Sequence, residues 1–286
     1  MTDIVLTASD GHSLGAYRAD PEGAPRGALV VIQEIFGVNH HIRSICDRLA
    51  ALGYVAIAPA LFDRTERDFQ SGCSIDEIAR AREFVAAPDW DAFLRDTDAA
   101  RAAVADAGRV GVIGFRLGGS VAFAAATRLP GFAAASCFYG GRVTAFADET
   151  PRCPVQLHYG SEDKGIPLSD VAAVRARRTD CDVFVYEGAG HGFHCDARAS
   201  FDPAASAVAW GRTVELLARE VARRAQADRP NSRATGATTK RPAATSAPPT
   251  ISPTIPSSSA VTAQAVAPVP QGIAAAAPSA MWRIAS

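Results

Sequence analysis

Residues 109–120, RVGVIGFRLGGS, decide the fold of this chain. The apolar run up to Ile113 is typical of a buried strand, and the small residues of Ser120–Ala126 are typical of a tightly packed helix. Gly114 and Gly118 stand between the two, where the absence of a Cβ atom lets the backbone turn sharply. The stretch therefore predicts a strand and a helix joined by a tight turn, with Arg116 at its centre.

Short β-rich runs alternate with longer helical patterns up to about residue 226, which is typical of βαβ units around a mostly parallel sheet. An N-terminal hairpin is predicted from Ile4–Leu6 and Ser13–Arg18, which flank a Ser-Asp-Gly-His turn. Further strands are predicted at Gly27–Gln33, Tyr54–Ala58, Arg109–Ile113, Ala133–Tyr139, Val155–Tyr159 and Asp182–Tyr186. Further helices are predicted around Ile42–Leu49 and at about Ser74–Ala86, Trp90–Asp106, Leu168–Arg177 and Pro203–Arg224. Together they predict one doubly wound α/β domain with helices on both faces of the sheet.

The 286 residues carry a net charge of −1 and are 48% hydrophobic. This composition predicts a soluble globular protein without a general electrostatic attraction to nucleic acid or an anionic membrane. No segment has the roughly 18 consecutive apolar residues of a membrane-spanning helix, and the first residues lack a signal-peptide pattern. We therefore predict a cytoplasmic protein, monomeric or a small homo-oligomer, that acts on a small molecule.

The six cysteines are dispersed through the chain, with no Cys-x-x-Cys pair and no Cys/His spacing typical of a zinc site. Neither a glycine-rich dinucleotide-binding pattern nor a P-loop is present. The sequence thus predicts free thiols, no metal site and no cofactor.

Residues 227–286 differ from the rest of the chain, since they consist mainly of Ala, Pro, Ser and Thr and hold half of the 18 prolines. Such a segment buries too little apolar surface to offset the entropy lost on ordering. We predict a folded domain over residues 1–226 and a disordered tail over 227–286. Its composition suits a flexible linker and equally a shifted reading frame in GC-rich DNA.

Two polar residues follow the predicted turn in the order that a catalytic triad requires. Asp163 lies in a loop after one strand, and His191 lies in Gly-Ala-Gly-His-Gly-Phe after the next. A strand, a Gly-x-nucleophile-x-Gly turn and a helix, followed by an acid and then a histidine, is the order found in α/β-hydrolases. A loop aspartate alone is commonly a turn residue and a single histidine commonly structural, but their joint placement favours a catalytic site.

Several segments resemble the dienelactone hydrolase family. They are Gln33-Glu-Ile-Phe-Gly-Val-Asn39, the turn with Leu117-Gly-Gly119, Tyr139-Gly-Gly141, the Asp163 loop with Ile166-Pro167, and Gly190-His-Gly-Phe193. The resemblance spans the predicted folded domain and implies an α/β-hydrolase fold that cleaves lactones or esters. In that family a cysteine occupies the turn and attacks the substrate carbonyl.

By position, the resemblance implies that His191 is the general base and Asp163 the carboxylate that orients it. It implies that Glu34 contacts the nucleophile, with a structural salt bridge as the alternative. The backbone N–H groups of Ile35 and Leu117 would form the oxyanion hole.

Arg116 stands where the family has its cysteine. A guanidinium has five N–H donors and no lone pair for attack on a carbonyl, so covalent catalysis by the family mechanism is not open to this sequence. We expect Arg116 to fill the pocket and to be able to pair with Glu34 or Asp163.

The family's founding enzymes hold a substrate carboxylate with two arginines. Arg80 is one candidate here; the second position falls near Cys195, and the neighbouring Arg198 is a substitute. The alternative is that both are surface charges. Ser120, one helical turn beyond Arg116, is predicted to pack inside the helix layer rather than to replace the nucleophile.

Three functions follow from these residues. The first is a dienelactone hydrolase-like hydrolase of carboxylic esters or lactones whose nucleophile position is substituted. The second is an inactive pseudoenzyme that uses Arg116 to bind a small carboxylate or another anion. The third is slow hydrolysis by water that His191 or Glu34 activates directly.

Overall fold

A computed structural model describes residues 2–72 and 74–222, which form one mostly parallel sheet of eight strands with helices packed around it. The strand order is β1-β2-β4-β3-β5-β6-β7-β8. Strand β2 pairs antiparallel with β1 and β4, and the remaining pairs are parallel. The strands are β1 (Thr2–Thr7), β2 (Ser13–Ala19), β3 (Ala28–Ile32), β4 (Val55–Pro59), β5 (Val110–Phe115), β6 (Phe132–Phe138), β7 (Val155–Gly160) and β8 (Asp182–Tyr186).

Six α-helices connect or follow these strands: α1 (His40–Ala51), α2 (Ile75–Glu83), α3 (Trp90–Ala102), α4 (Leu117–Arg128), α5 (Leu168–Arg177) and α6 (Pro203–Glu220). Asn39 caps α1 by accepting a hydrogen bond from the backbone of Ile42, and Asp202 caps α6. These side chains explain why the two helices begin where they do.

The centre of the sheet is covered on both faces. Every residue of β3, β4, β5 and β6 is buried. Because successive side chains of a strand point to opposite faces, full burial requires packed layers on both sides of the sheet. The prediction of a doubly wound α/β domain is therefore confirmed.

The backbone makes very close contacts at the turn between β5 and α4. A Cβ atom on Gly114 would lie 1.9 Å from the carbonyl oxygen of Gly118, and one on Gly118 would lie 2.4 Å from the carbonyl oxygen of Ile32. The Gly118 N–H donates to the carbonyl of Gln33 at 3.1 Å. Glycine is needed here because β3, β5 and the first turn of α4 approach each other through bare backbone.

The structure changes several predicted element boundaries. Helix α4 begins at Leu117 rather than Ser120, because the turn is only one residue wide at Arg116. Helix α3 ends at Ala102, and a short 3₁₀ turn at Ala105–Ala107 completes the connection that was predicted as helix up to Asp106. Local apolar spacing does not reveal such ends.

The predicted tail over residues 227–286 and the last predicted residues of the final helix, 223–224, lie outside the described residues. Of the helices that the structure describes, none is long and apolar enough to cross a membrane.

We predict that Gly118→Ala destabilises the fold by about 3 kcal/mol or more, because the new methyl group would overlap two backbone carbonyls. Gly211→Ala is a matched control within α6, where an added Cβ meets nothing within 4 Å. Removing backbone freedom there should stabilise the protein by about 0.5–1 kcal/mol. Urea unfolding of both variants checks the prediction, and a Gly118→Ala variant as stable as the parent would contradict it.

Candidate active site

Five parallel strands end at the same edge of the sheet. A polar or charged residue lies in the segment that follows each of them. Glu34 follows β3, Arg116 follows β5, Tyr139 follows β6, Asp163 follows β7 and His191 follows β8. Ligands of open α/β sheets bind at this edge, outside the carboxyl ends of the strands. The sheet topology thus brings together residues that are far apart in the sequence.

Asp163 and His191 form a hydrogen-bonded pair. His191 Nδ1 lies 2.7 Å from Asp163 Oδ2. The other carboxylate oxygen of Asp163 accepts hydrogen bonds from the N–H groups of Gly165 at 2.8 Å and Ile166 at 3.1 Å. The aspartate is therefore buried and fixed, and its second carboxylate oxygen faces the imidazole, so a neutral His191 would carry its proton on Nδ1.

The second imidazole nitrogen of His191 is the one that could accept a proton. His191 Nε2 is buried and has no hydrogen-bond partner within the described part of the chain. A neutral imidazole whose Nδ1 donates to Asp163 has its lone pair on Nε2. The role of His191 as a general base stays a prediction that this geometry fits.

Glu34 is a buried carboxylate, only 2% exposed, directly after β3. Its Oε1 atom has no hydrogen-bond partner among the described residues, and its Oε2 atom lies 4.0 Å from Arg198 Nη1. The Arg198 guanidinium also lies over the Phe36 ring, 5.9 Å from its centroid. Among the described residues, Arg198 is therefore the basic residue closest to this carboxylate, and its role in substrate binding stays a prediction.

Arg116 occupies the turn in a left-handed backbone conformation, with φ of 53°. Its N–H donates to the carbonyl of Phe138 at 3.0 Å, so β6 holds the turn in this conformation. A side chain other than glycine with positive φ is strained, and such strain concentrates at functional sites. The conformation fits a nucleophile elbow, although the residue is arginine.

The Arg116 side chain is largely buried, and burial is the main cause that lowers its pKa. The charge of Glu34 opposes this shift, while the nearby Arg198 guanidinium lowers the pKa further. Among the residues that the structure describes, Arg116 makes no ion pair with Glu34 or Asp163 within 4.0 Å. The expected pairing is thus a longer-range attraction, because Asp163 is committed to His191 and Arg198 lies beside Glu34.

Tyr139 belongs to the site, and the sequence analysis assigned it no role. Its backbone has φ of 38°, and its buried hydroxyl interacts with the Glu34 carboxylate without meeting the geometry of a hydrogen bond to any described residue. Burial, followed by the charge of Glu34, raises the pKa of the Tyr139 hydroxyl well above its usual range. The signal in the sequence was the Tyr-Gly-Gly segment directly after a buried strand.

Two residues considered in the sequence analysis, Arg80 and Ser120, have their contacts outside the site. Arg80 is exposed on α2, where it pairs with Glu66 at 2.6 Å and with Glu83. Its role in substrate binding stays a prediction, and its neighbour Arg82 is the α2 arginine that acts electrostatically on Arg116. Ser120 is buried and its hydroxyl accepts a hydrogen bond from the Arg142 N–H at 3.0 Å, as a packing residue would.

The predicted oxyanion-hole residues, Ile35 and Leu117, flank the turn. Leu117 is the first residue of α4, and the first N–H groups of a helix lack an acceptor inside the helix. Ile35 lies in the bend after β3, whose neighbouring Gln33 carbonyl accepts from Gly118. The two N–H groups therefore come from backbone segments that touch, and their role stays a prediction.

Four buried polar atoms around Arg116 have no hydrogen-bond partner among residues 2–72 and 74–222. They are Glu34 Oε1, Tyr139 Oη, His191 Nε2 and Arg198 Nη1. Buried polar atoms in folded proteins are nearly always paired, because an unpaired one costs about 1–3 kcal/mol. Their concentration at one edge of the sheet indicates a site that a polar ligand completes.

Comparisons of sequence and of structure with known proteins both match the family that the sequence motifs resemble. Residues 14–221 match the model of the dienelactone hydrolase family. A predicted carboxymethylenebutenolidase of Synechocystis is 33% identical over 240 residues, covering 77% of this chain and 97% of the relative. A similarly described protein of Methylorubrum extorquens is 36% identical over 230 residues, covering 73% of this chain and 78% of the relative.

Solved structures agree. A crystal structure of a predicted dienelactone hydrolase from Klebsiella pneumoniae superposes with a TM-score of 0.66 at 31% identity, covering 77% of this chain and 100% of that one. Residues 14–221, which match the family model, contain every residue of the candidate site described above.

We predict that Glu34→Gln destabilises the protein by about 3 kcal/mol, because it leaves the Arg116 and Arg198 guanidiniums facing each other without the buried carboxylate. Glu83→Gln is the matched control, since Glu83 pairs with Arg80 on the surface, and we expect no measurable change there. Chemical denaturation of both variants measures the difference. Equal stability of the two variants would show that Glu34 does not balance these charges.

Proposed function

Since the chain belongs to the dienelactone hydrolase family, we propose that its site is built to hydrolyse carboxylic esters or lactones with a nucleophile, His191 and Asp163. Arg116 takes the place of the nucleophile. The proposed substrate is a small ester or lactone. We propose that the reaction needs no cofactor and takes place in the cytoplasm.

The observation that carries this proposal is the Asp163–His191 hydrogen bond of 2.7 Å beside the turn that holds Arg116. A carboxylate bound on one side of the ring leaves Nε2 to accept a proton on the other side. Here the unpaired nitrogen is the one that a general base uses.

With a thiol at position 116, the chemistry would follow from these positions. His191 Nε2 would take the thiol proton, and the thiolate would attack the substrate carbonyl carbon. The N–H groups of Ile35 and Leu117 would stabilise the negative oxygen, and His191 would return the proton to the leaving alkoxide. Water activated by the same imidazole would then cleave the thioester, releasing the acid and restoring the thiol.

With arginine at position 116, this reaction cannot pass its first step, the attack on the carbonyl carbon. The Arg116 guanidinium remains protonated even though burial lowers its pKa, and it has no lone pair to donate. The parent chain should therefore show only the slow hydrolysis that binding and polarised water supply.

The second candidate function is the binding of a small anion. Arg116 and Arg198 lie close enough to affect each other electrostatically, and Arg198 Nη1 is buried with no hydrogen bond in the described residues, only a long ion pair of 4.0 Å to Glu34. The N-terminus of the 12-residue helix α4 begins directly after Arg116. Two guanidiniums and a helix N-terminus favour a carboxylate or another oxoanion.

We predict that Arg116→Cys raises the hydrolysis of a p-nitrophenyl ester and of a diene-lactone by at least about a thousandfold over the parent chain, because it supplies the missing nucleophile. Initial rates of the purified proteins test this. Arg116→Ala is the matched control, since it removes the guanidinium without adding a thiol. Asp163→Asn in the Arg116→Cys background should remove most of the gain.

Two results would contradict the proposal. An Arg116→Cys protein that is folded yet inert would show that the site is not organised for covalent hydrolysis. Equal rates of Arg116→Ala and Arg116→Cys would show that water, rather than a thiolate, attacks the substrate.

We predict for the second function that benzoate binds the parent chain in calorimetry and that Arg116→Met or Arg198→Met weakens binding at least about tenfold, since each removes a charged donor. Arg80→Met is the control, because Arg80 is paired with carboxylates on the surface. The absence of benzoate binding by the parent chain would remove this candidate.

A further inference from the structure

A second group of chemically reactive side chains lies behind the site, between α1 and the segment that follows His191. His41 lies in the first turn of α1, and Cys195 and Asp196 follow His191 in the chain. One donor atom from each of His41, Cys195 and Asp196 lies within 4.8 Å of the other two. We propose that these three residues bind one divalent transition-metal ion of the zinc type.

The donor set favours this class of metal. A thiolate, an imidazole and a carboxylate are the ligands of zinc sites, whereas magnesium and calcium prefer oxygen donors alone. A thiolate and a carboxylate together balance the two charges of the ion. Three protein ligands leave a fourth position for water, as in zinc sites that stay open.

The spacing of two donors already fits a tetrahedral ion. His41 Nδ1 and Asp196 Oδ1 are 3.3 Å apart. Two ligands with bonds of about 2.0 Å to a tetrahedral zinc ion are about 3.3 Å apart. Because the Asp196 side chain is 71% exposed, it can adjust its position while the buried His41 and Cys195 stay in place.

Burial fixes the position of the His41 ring. His41 is 95% buried, because its side chain is 5% exposed, and its Nε2 atom has no hydrogen-bond partner among the described residues. The neighbouring His194, with ring centroids 6.3 Å apart, also has an unpaired and buried Nε2. The metal would bind His41 through Nδ1, the nitrogen that faces Asp196, and not through Nε2.

The charges around the group tolerate a cation. Asp196 and the Cys195 thiolate supply negative charge at the group, and Asp196 Oδ1 already lies 3.3 Å from His41 Nδ1. Arg48 is the positive group nearby, and its guanidinium lies over the Trp210 ring at 4.1 Å, where the aromatic face stabilises it. Asp196 is thus available to a metal rather than committed to a close arginine pair.

A metal here would connect helix α1 to the segment that follows His191. The Cys195 N–H donates to the Gly192 carbonyl at 3.0 Å, and the Arg198 N–H donates to the Cys195 carbonyl at 3.1 Å. A metal bound to Cys195 and to His41 would therefore tie to α1 the turns that carry His191 and Arg198. This site is independent of Arg116 and of whether the chain hydrolyses esters.

The test is cobalt titration of the full-length chain after EDTA treatment and removal of the chelator. One equivalent of Co²⁺ should produce visible d–d bands of a tetrahedral site and an ultraviolet charge-transfer band from the thiolate. Zn²⁺ should displace the cobalt and raise the melting temperature. Binding releases the Cys195 thiol proton to solvent, so affinity should rise with pH.

Variants assign the ligands. Cys195→Ser should abolish the charge-transfer band, and Asp196→Asn should weaken Co²⁺ binding at least about tenfold, as expected for loss of a ligand. Cys181→Ser is the matched control, because that half-buried thiol lies elsewhere and its removal should leave the spectrum unchanged. The exposed Asp196 side chain makes its substitution safe for folding even if Cys195→Ser proves unstable.

Three outcomes would overturn the proposal. They are the absence of a thiolate band in the parent chain, a band that survives in folded Cys195→Ser, and Co²⁺ binding by Asp196→Asn that equals the parent. None of these measurements depends on hydrolytic activity, so the failure of this proposal and that of the proposed function are distinguishable.

Discussion

The close approach of bare backbone at the turn after β5 is the constraint on which the rest of the site depends. Gly114 and Gly118 let the chain reverse between β5 and α4 while β3 lies against the first turn of the helix. This packing sets the direction of residue 116, the first N–H groups of α4 and the neighbouring Glu34. Any residue at position 116 is held in the same left-handed conformation, whether or not it can perform catalysis.

The same constraint explains how the turn can hold an arginine at position 116 without loss of the fold. The turn is fixed by glycine contacts and by the hydrogen bond from the Arg116 N–H to Phe138, which do not involve the side chain at 116. The Asp163–His191 pair is held separately, by the N–H groups of the Asp163 loop. The side chain at position 116 therefore decides which chemistry is possible, whereas other atoms hold the turn. A substitution at this position can change the chemistry and leave the fold intact.

Charge distribution at the site bears on both candidate functions. Glu34 is shared between two guanidiniums, and Arg198, rather than Arg116, is the closer one. An excess of positive charge next to a helix N-terminus suits an anion, while the histidine–aspartate pair suits proton transfer. Both properties belong to a site that hydrolyses esters, because the reaction passes through a negative oxygen and ends in a carboxylate.

The sequence by itself determined the α/β class, the order of the strands along the chain, the turn at Arg116 and the candidates Glu34, Asp163 and His191. These follow from local spacing, since periodicity and glycine placement are properties of neighbouring residues. Only the tertiary structure decided that Arg198 faces Glu34, that Arg80 pairs on the surface, and that His41 lies 3.3 Å from Asp196, which is 155 residues away. Such contacts depend on the order of the strands in the sheet and on the path of the loops across its edge. A local sequence pattern cannot predict which distant residues these bring together.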